Sequence, residues 1–129
     1  MKALLDTHAL IWALAGDERL STRAREEYEG SGELFFSVVS LWEIGVKLAL
    51  QRPDFELGKN WWKEIPKQLI AQGVNRLDIE PEHCLQVSSL PLHHRDPFDR
   101  MLIAQAICLK ASIVSIDEKF DDYSVKRIW

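Results

Sequence analysis

The chain alternates short apolar runs with longer amphipathic stretches, and the first alternation begins almost at residue 1. Ala3-Leu4-Leu5 is closed by Asp6, and Thr7-His8-Ala9-Leu10-Ile11-Trp12 follows at once. A short apolar run bounded by a polar residue reads as a buried strand, and an apolar stripe at helical spacing reads as a helix. Repeated along a chain, that order restricts the fold to an α/β class: helices on both faces of a short, mostly parallel sheet, in three layers α/β/α.

The pattern predicts a strand over residues 2–5 and a helix over 8–15, ended near Gly16-Asp17. Ser21 is placed to cap a helix over 22–29, which stops at Gly30-Ser31-Gly32. A strand over 34–37 leads into a helix over 38–51, halted before Pro53. A helix over 60–72 should turn Trp61, Ile65, Leu69 and Ile70 to one side, ahead of a strand over 75–79. Pro81 opens a further helix, residues 98–110 form a strong one, and strands over 113–116 and 125–128 complete the set. The 129 residues suit a single domain, 1–129, with no repeat and no long linker.

Acids stand where these strands give way to helices. Asp6 follows the first strand, Glu43 lies shortly after the second, Asp99 opens the 98–110 helix, and Asp117 follows the strand at 113–116. Right-handed crossovers bring such junctions to the carboxyl edge of the sheet, where α/β proteins bind ligands. Each acid has a local alternative. Asp6 and Asp117 are placed to cap the turns after them, Glu43 stands at capping-box spacing from Ser40, and Asp96-Pro97 puts Asp99 in a first helical turn. Four acids at four junctions exceed what capping alone explains. Carboxylates gathered at one edge repel one another, and a divalent cation that prefers oxygen, Mg²⁺ or Mn²⁺, removes that repulsion. Thr7 and Ser115, beside Asp6 and Asp117, are placed to orient a carboxylate or a water, or to bond the local backbone.

The net charge of −4 argues against binding nucleic acid through a broad basic surface. It leaves room for a nuclease whose cation and a few Arg or Lys reverse the sign of one cleft. Arg95 and Arg100 are candidates for phosphate contact, or for a solvated helix face. Lys47, four residues after Glu43, is expected to pair with it. No run is long enough to span a membrane. Cys84 and Cys108 lack ligand spacing; they are expected to be packing residues in a reducing cytoplasm.

His93-His94-Arg95-Asp96 points towards three chemistries that its surroundings exclude. The His-Arg-Asp string of a kinase loop needs Asn where Met101 stands. A zinc site needs a further His or Cys at ligand spacing. Phosphohydrolases with an adjacent His-Asp pair need that adjacency, which Arg95 interrupts, and aspartyl phosphatases are disfavoured by His8 in the second place after Asp6.

Taken together, Leu4-Leu5-Asp6-Thr7-His8-Ala9-Leu10-Ile11-Trp12, Ser40-Leu41-Trp42-Glu43-Ile44, Leu92-His93-His94-Arg95-Asp96-Pro97-Phe98-Asp99-Arg100 and Ser115-Ile116-Asp117 closely resemble the PIN-domain ribonucleases. More narrowly, they resemble the VapC-type toxins of bacterial toxin–antitoxin pairs. The resemblance runs over essentially the whole chain. It implies a PIN-like α/β/α fold and Mg²⁺- or Mn²⁺-dependent endonucleolytic cleavage of RNA. Asp6, Glu43 and Asp99 match the family's core acids, Asp117 the more variable fourth, and Asp96 lies beside the site. The resemblance further implies a homodimer and a small antitoxin whose C-terminal segment enters the active-site groove. Metal-activated water would attack the phosphate in line and leave 5′-phosphate and 3′-hydroxyl ends. Because no general base is needed, substitution of His8, His93 or His94 is expected to be tolerated. Two rival readings remain: a PIN-type nuclease with a housekeeping role in RNA processing, and a non-catalytic metal- or RNA-binding module.

Of the five Trp, Trp42 is expected in the core, and one of Trp61-Trp62 at a surface, serving a dimer, antitoxin or RNA contact, or else partly buried under the 51–59 loop.

Overall fold

The computed structural model describes all 129 residues. Its strands are β1 (Lys2–Leu5), β2 (Glu33–Ser37), β3 (Asn75–Leu77), β4 (Ser112–Val114) and β5 (Arg127–Ile128). They form one sheet in the order β3-β2-β1-β4-β5, and every adjacent pair is parallel. The helices are α1 (Thr7–Ala15), α2 (Thr22–Glu29), α3 (Val38–Ala49), α4 (Trp61–Ala71), α5 (Pro81–Ser88) and α6 (Pro97–Leu109). A short 3₁₀ helix spans Glu118–Asp122.

Successive strand residues face opposite sides of the sheet. Ala3, Leu5, Leu34, Phe36 and Val114 therefore enter one core with Leu10 and Trp12 of α1, Ala24 of α2, and Ile65 and Leu69 of α4. Leu4 and Ile113 enter the other, with Leu102, Ile103 and Ala106 of α6 and Phe120 beyond β4. Both faces being covered, the strands carry apolar side chains on both sides, as parallel strands do. Helix α3 leaves β2 without a loop and contributes Val39 to one core and Ile44 to the other. It thus crosses the carboxyl edge of the sheet and hangs Glu43 over it.

The chain builds outward from β1 through β2 to β3, then returns to add β4 and β5 on the other side. The order reverses between β1 and β4. This is the switch point where a crevice opens at the strand ends. Asp6 N–H donates to Val114 O across it at 3.1 Å.

Helix ends follow the expected signals. Gly16 takes φ +61° and closes α1 through its N–H, a conformation that suits glycine. The Ser21 hydroxyl accepts from Ala24 N–H at 3.0 Å to start α2.

Four expectations are corrected. β4 stops at Val114 instead of Ile116, since Ser115 turns towards the site and Ile116 is exposed. Trp42 is 56% exposed: the inner stripe of α3 is Val39, Ser40, Glu43 and Ile44, and Trp42 lies off it, edge-on to Phe98. Ile70, one position past Leu69, is rotated outward and exposed. Cys84 of α5 and Cys108 of α6 are exposed free thiols rather than packing residues. Trp62 is the exposed member of the Trp61-Trp62 pair. No helix is long and apolar enough to cross a membrane.

Candidate metal centre

Asp6 ends β1 and caps α1: its Oδ1 accepts from Ala9 N–H at 2.9 Å. Only 7% of the residue is exposed. Burial pushes its carboxyl up to about 6, against hydrogen bonds from Ser115 and Ala9 that lower it; the negative field of Glu43 raises it. Ser115 is fully buried and also accepts from Asp117 N–H at 2.9 Å. One hydroxyl thus ties the end of β1 to the loop after β4.

Glu43 is equally buried, at 7% exposure. It does not belong to a capping box, because the residue that caps α3 is Ser37, whose Oγ accepts from Val39 N–H. Glu43 therefore stands in the second turn, beyond reach of the helix end. The Thr7 hydroxyl donates to Glu43 Oε1 at 2.8 Å and lies 3.0 Å from Ser40 Oγ. Having one proton, Thr7 gives it to the carboxylate and accepts that of Ser40. Lys47 Nζ lies 3.1 Å from Glu43 Oε2, the helical pair expected from their spacing.

Asp96 caps α6, its Oδ1 accepting from Phe98 and Asp99 N–H at 2.8 and 3.2 Å. With that cap filled, Asp99 is free to point out of the first turn. Its carboxyl is pushed up to about 8, first by burial and then by the fields of Asp96, Glu43, Asp6 and Asp117. Asp117 caps the 3₁₀ helix through Oδ1, which accepts from Lys119 N–H at 3.0 Å. Its Oδ2 faces the same cluster. Capping and convergence on one edge coexist in Asp6 and Asp117, while Asp99 leaves the cap to its neighbour.

The structure brings Asp99 and Asp117 within ligand distance of each other; Asp6 and Glu43 lie near enough to act on the Asp99 carboxyl but outside that group. It also adds His94, for which sequence reasoning expected tolerance. His94 is 9% exposed, and its Nε2 lies 2.8 Å from Asp99 Oδ2 and 3.8 Å from Asp117 Oδ2. These atoms all lie within 4.8 Å of one another, close enough to share an ion. The adjacent His93 is exposed and packs edge-on against Tyr123, and His8 pairs with Asp54 at 2.7 Å. No spacing rule distinguishes the two adjacent histidines; their roles depend on the path of the 89–96 loop.

Arg100 is another correction. Its guanidinium donates to the carbonyls of Pro91, His94, Val87 and Leu90 and to the Tyr123 hydroxyl, at 2.8–3.4 Å. Half-buried, it clamps the 89–96 loop, and these bonds occupy both of its terminal nitrogens. Arg100→Met is expected to lower the unfolding free energy of the metal-free protein by about 1–3 kcal/mol, because carbonyls lose their donor. Urea denaturation measures this; a change under about 0.5 kcal/mol would return Arg100 to the surface class. Arg95 is exposed and makes no ion pair.

The donor set is carboxylate oxygen, with the His94 ring beside it. It fits a hard divalent cation; burial, and after it the neighbouring acids, raises the Asp6 and Asp99 carboxyls. The centre lies on an open sheet edge. The larger cavity, about 530 Å³, is elsewhere, between α1, α4 and the 57–60 segment.

A parallel three-layer α/β/α sheet with carboxylates gathered at its switch point defines a class of protein with an acidic cation centre. The PIN domain family model matches residues 3–126, and the chain belongs to that family. It is similar to ribonuclease VapC22 of Mycobacterium tuberculosis, with 30% identity over 105 residues, covering 81% of this chain and 78% of that protein. The fold is similar to VapBC2 from Rickettsia felis bound to a DNA fragment from its promoter, with TM-score 0.70 and 13% identity over the whole of both chains. It is also similar to a toxin–antitoxin complex from Klebsiella pneumoniae, with TM-score 0.62 and 16% identity over 95% and 92% of the chains.

Proposed function

We propose that this protein is a VapC-type toxin, a metal-dependent endoribonuclease restrained by a cognate antitoxin. The observation that supports this reading is the gathering of Asp6, Glu43, Asp99 and Asp117 at one sheet edge, with the Asp6 and Asp99 carboxyls raised first by burial and then by neighbouring acids. The ribonuclease named among its relatives supports RNA as the substrate class. Residues 1–129 act as one domain, as a homodimer, in the cytoplasm, where two unpaired thiols are at home.

When bound, Mg²⁺ or Mn²⁺ supplies a water of lowered pKa and neutralises charge on the phosphoryl oxygens. Asp6 and Asp99 hold the ion, and Glu43 and Asp117 complete its shell or orient its water. Thr7, backed by Ser40, fixes one oxygen of Glu43, and Ser115 fixes Asp6. Lys47 offsets the charge of Glu43. Arg95 steadies a flanking phosphate.

The test is cleavage of total cellular RNA by purified protein with Mn²⁺ or Mg²⁺, then with EDTA, beside a folded Asp6→Asn variant. Cleavage should need the metal, vanish in the variant and leave 5′-phosphate ends. Metal-independent cutting, or full activity of Asp6→Asn, overturns the reading. Expression should also arrest growth, and the co-expressed antitoxin should relieve the arrest; a housekeeping nuclease would show neither effect.

A further inference from the structure

We propose that His94 is a positioning residue for the cation centre, its Nε2–H directing the Asp99 carboxylate towards the ion. The inference rests on reading the acid cluster as a cation site. Three observations carry it.

The first is the tautomer. Asp96 N–H points at His94 Nδ1 at 3.4 Å, so Nδ1 accepts and the ring proton sits on Nε2. A protonated nitrogen does not ligate a metal, but it does donate to a carboxylate. The second is the orphaned atom. Nε2 is fully buried and has no aligned hydrogen-bond partner, although Asp99 Oδ2 lies only 2.8 Å away. That separation belongs to a charge-assisted hydrogen bond, and only the angle falls short. Such bonds at active sites often align only once the site is loaded.

The third is the mounting. The His94 backbone N–H donates to the Tyr123 hydroxyl at 2.8 Å, and its carbonyl accepts from Arg100 at 3.3 Å. The ring lies edge-on to Phe120 at 6.3 Å. A group that serves only to fill space needs no polar edge facing two acids, Asp99 and Asp117, nor such a rigid hold. Partners that orient metal ligands in this way typically matter about 10–100-fold in metal affinity.

The experiment compares His94→Gln with His94→Asn in the full chain, by calorimetric titration of Mn²⁺, with urea midpoints taken in EDTA. The Gln amide nitrogen stands as many bonds from Cα as Nε2, whereas that of Asn reaches only the place of Nδ1. His94→Asn should weaken Mn²⁺ binding about 10–100-fold while His94→Gln stays within about threefold of the parent, with no matching difference in urea midpoints. Parent-like Mn²⁺ affinity in His94→Asn, or equal weakening in both variants, overturns the role. Asp99→Asn serves as control. If it too binds Mn²⁺ like the parent, the cation site falls and this role falls with it. If it loses Mn²⁺ while His94→Asn keeps it, this role alone falls.

Discussion

Asp99→Asn is expected to abolish RNA cleavage while making the metal-free protein more stable. Asparagine has the size of aspartate and no charge to be driven off by burial and by Asp96, Glu43, Asp6 and Asp117, the causes that push this carboxyl up to about 8. Near neutral pH the unfolded chain keeps the residue ionised and solvated, whereas the folded protein must protonate it or bear the repulsion. Removing the charge removes that cost. The gain, discounted because the side chain is 20% exposed, should raise Tm in EDTA by about 5 °C. Activity should fall by about 10³-fold or more, since the cation that would stabilise developing phosphoryl charge loses a carboxylate that holds it. Opposite signs in the two readouts identify a functional acid. Lost activity with a lowered Tm would assign Asp99 a structural role, and retained activity would remove it from the centre.

The same opposition explains why the fold was so legible. Strands β1 and β2 are apolar runs facing cores on both sides, and their helices begin and end at Asp6, Gly16, Ser21 and Ser37, whose chemistry is local. Local signals read well because they act within a few residues. The ends of β4 and β5 read less well. Ile113-Val114-Ser115-Ile116 looks like one continuous strand, and only the pull of Ser115 towards Asp6 and Asp117 cuts it short. Trp42 was misplaced for a similar reason. Its apolar bulk suggests a core residue, but the inner stripe of α3 is given to Ser40 and Glu43, so a polar site displaces the aromatic outward.

The acids were legible because each sits at a strand–helix junction, and the topology alone brings such junctions together. Glu43 departs from that rule. It lies a turn inside α3, yet reaches the edge because α3 follows β2 with no intervening loop. His94 and Arg100 were not legible in their observed roles. Both depend on the 89–96 loop folding back over α6, a contact set by Tyr123 and by backbone carbonyls that carry no sequence signature. The guanidinium that looked fit for phosphate clamps the loop, and the histidine that looked dispensable is seated by that clamp.

The second large effect is a coupling between pH, cation and stability. Both shifted acids of the centre are raised, Asp6 to about 6 and Asp99 to about 8, from an ordinary value of 3.8. The folded protein therefore holds more protons than the unfolded chain at any pH between 3.8 and these values. Stability of the metal-free protein must then fall as pH rises through that window, by at most about 1.4 kcal/mol per pH unit for each group while it titrates. This is the reverse of a salt-bridged carboxylate, which loses stability in acid. A divalent cation competes for the same oxygens and binds the ionised form, so it should do little at pH 5 and much at pH 8. Thermal unfolding in EDTA should give a Tm higher at pH 5.5 than at pH 8. Millimolar Mg²⁺ or Mn²⁺ should raise the pH 8 value by about 5 °C or more and leave the pH 5.5 value nearly unchanged. The Asp6→Asn, Asp99→Asn double variant should lose both the pH slope and the metal response. A metal-free Tm that climbs from pH 5.5 to 8 would show that the carboxyls are not raised, and with that the argument for a cation at this edge would fail.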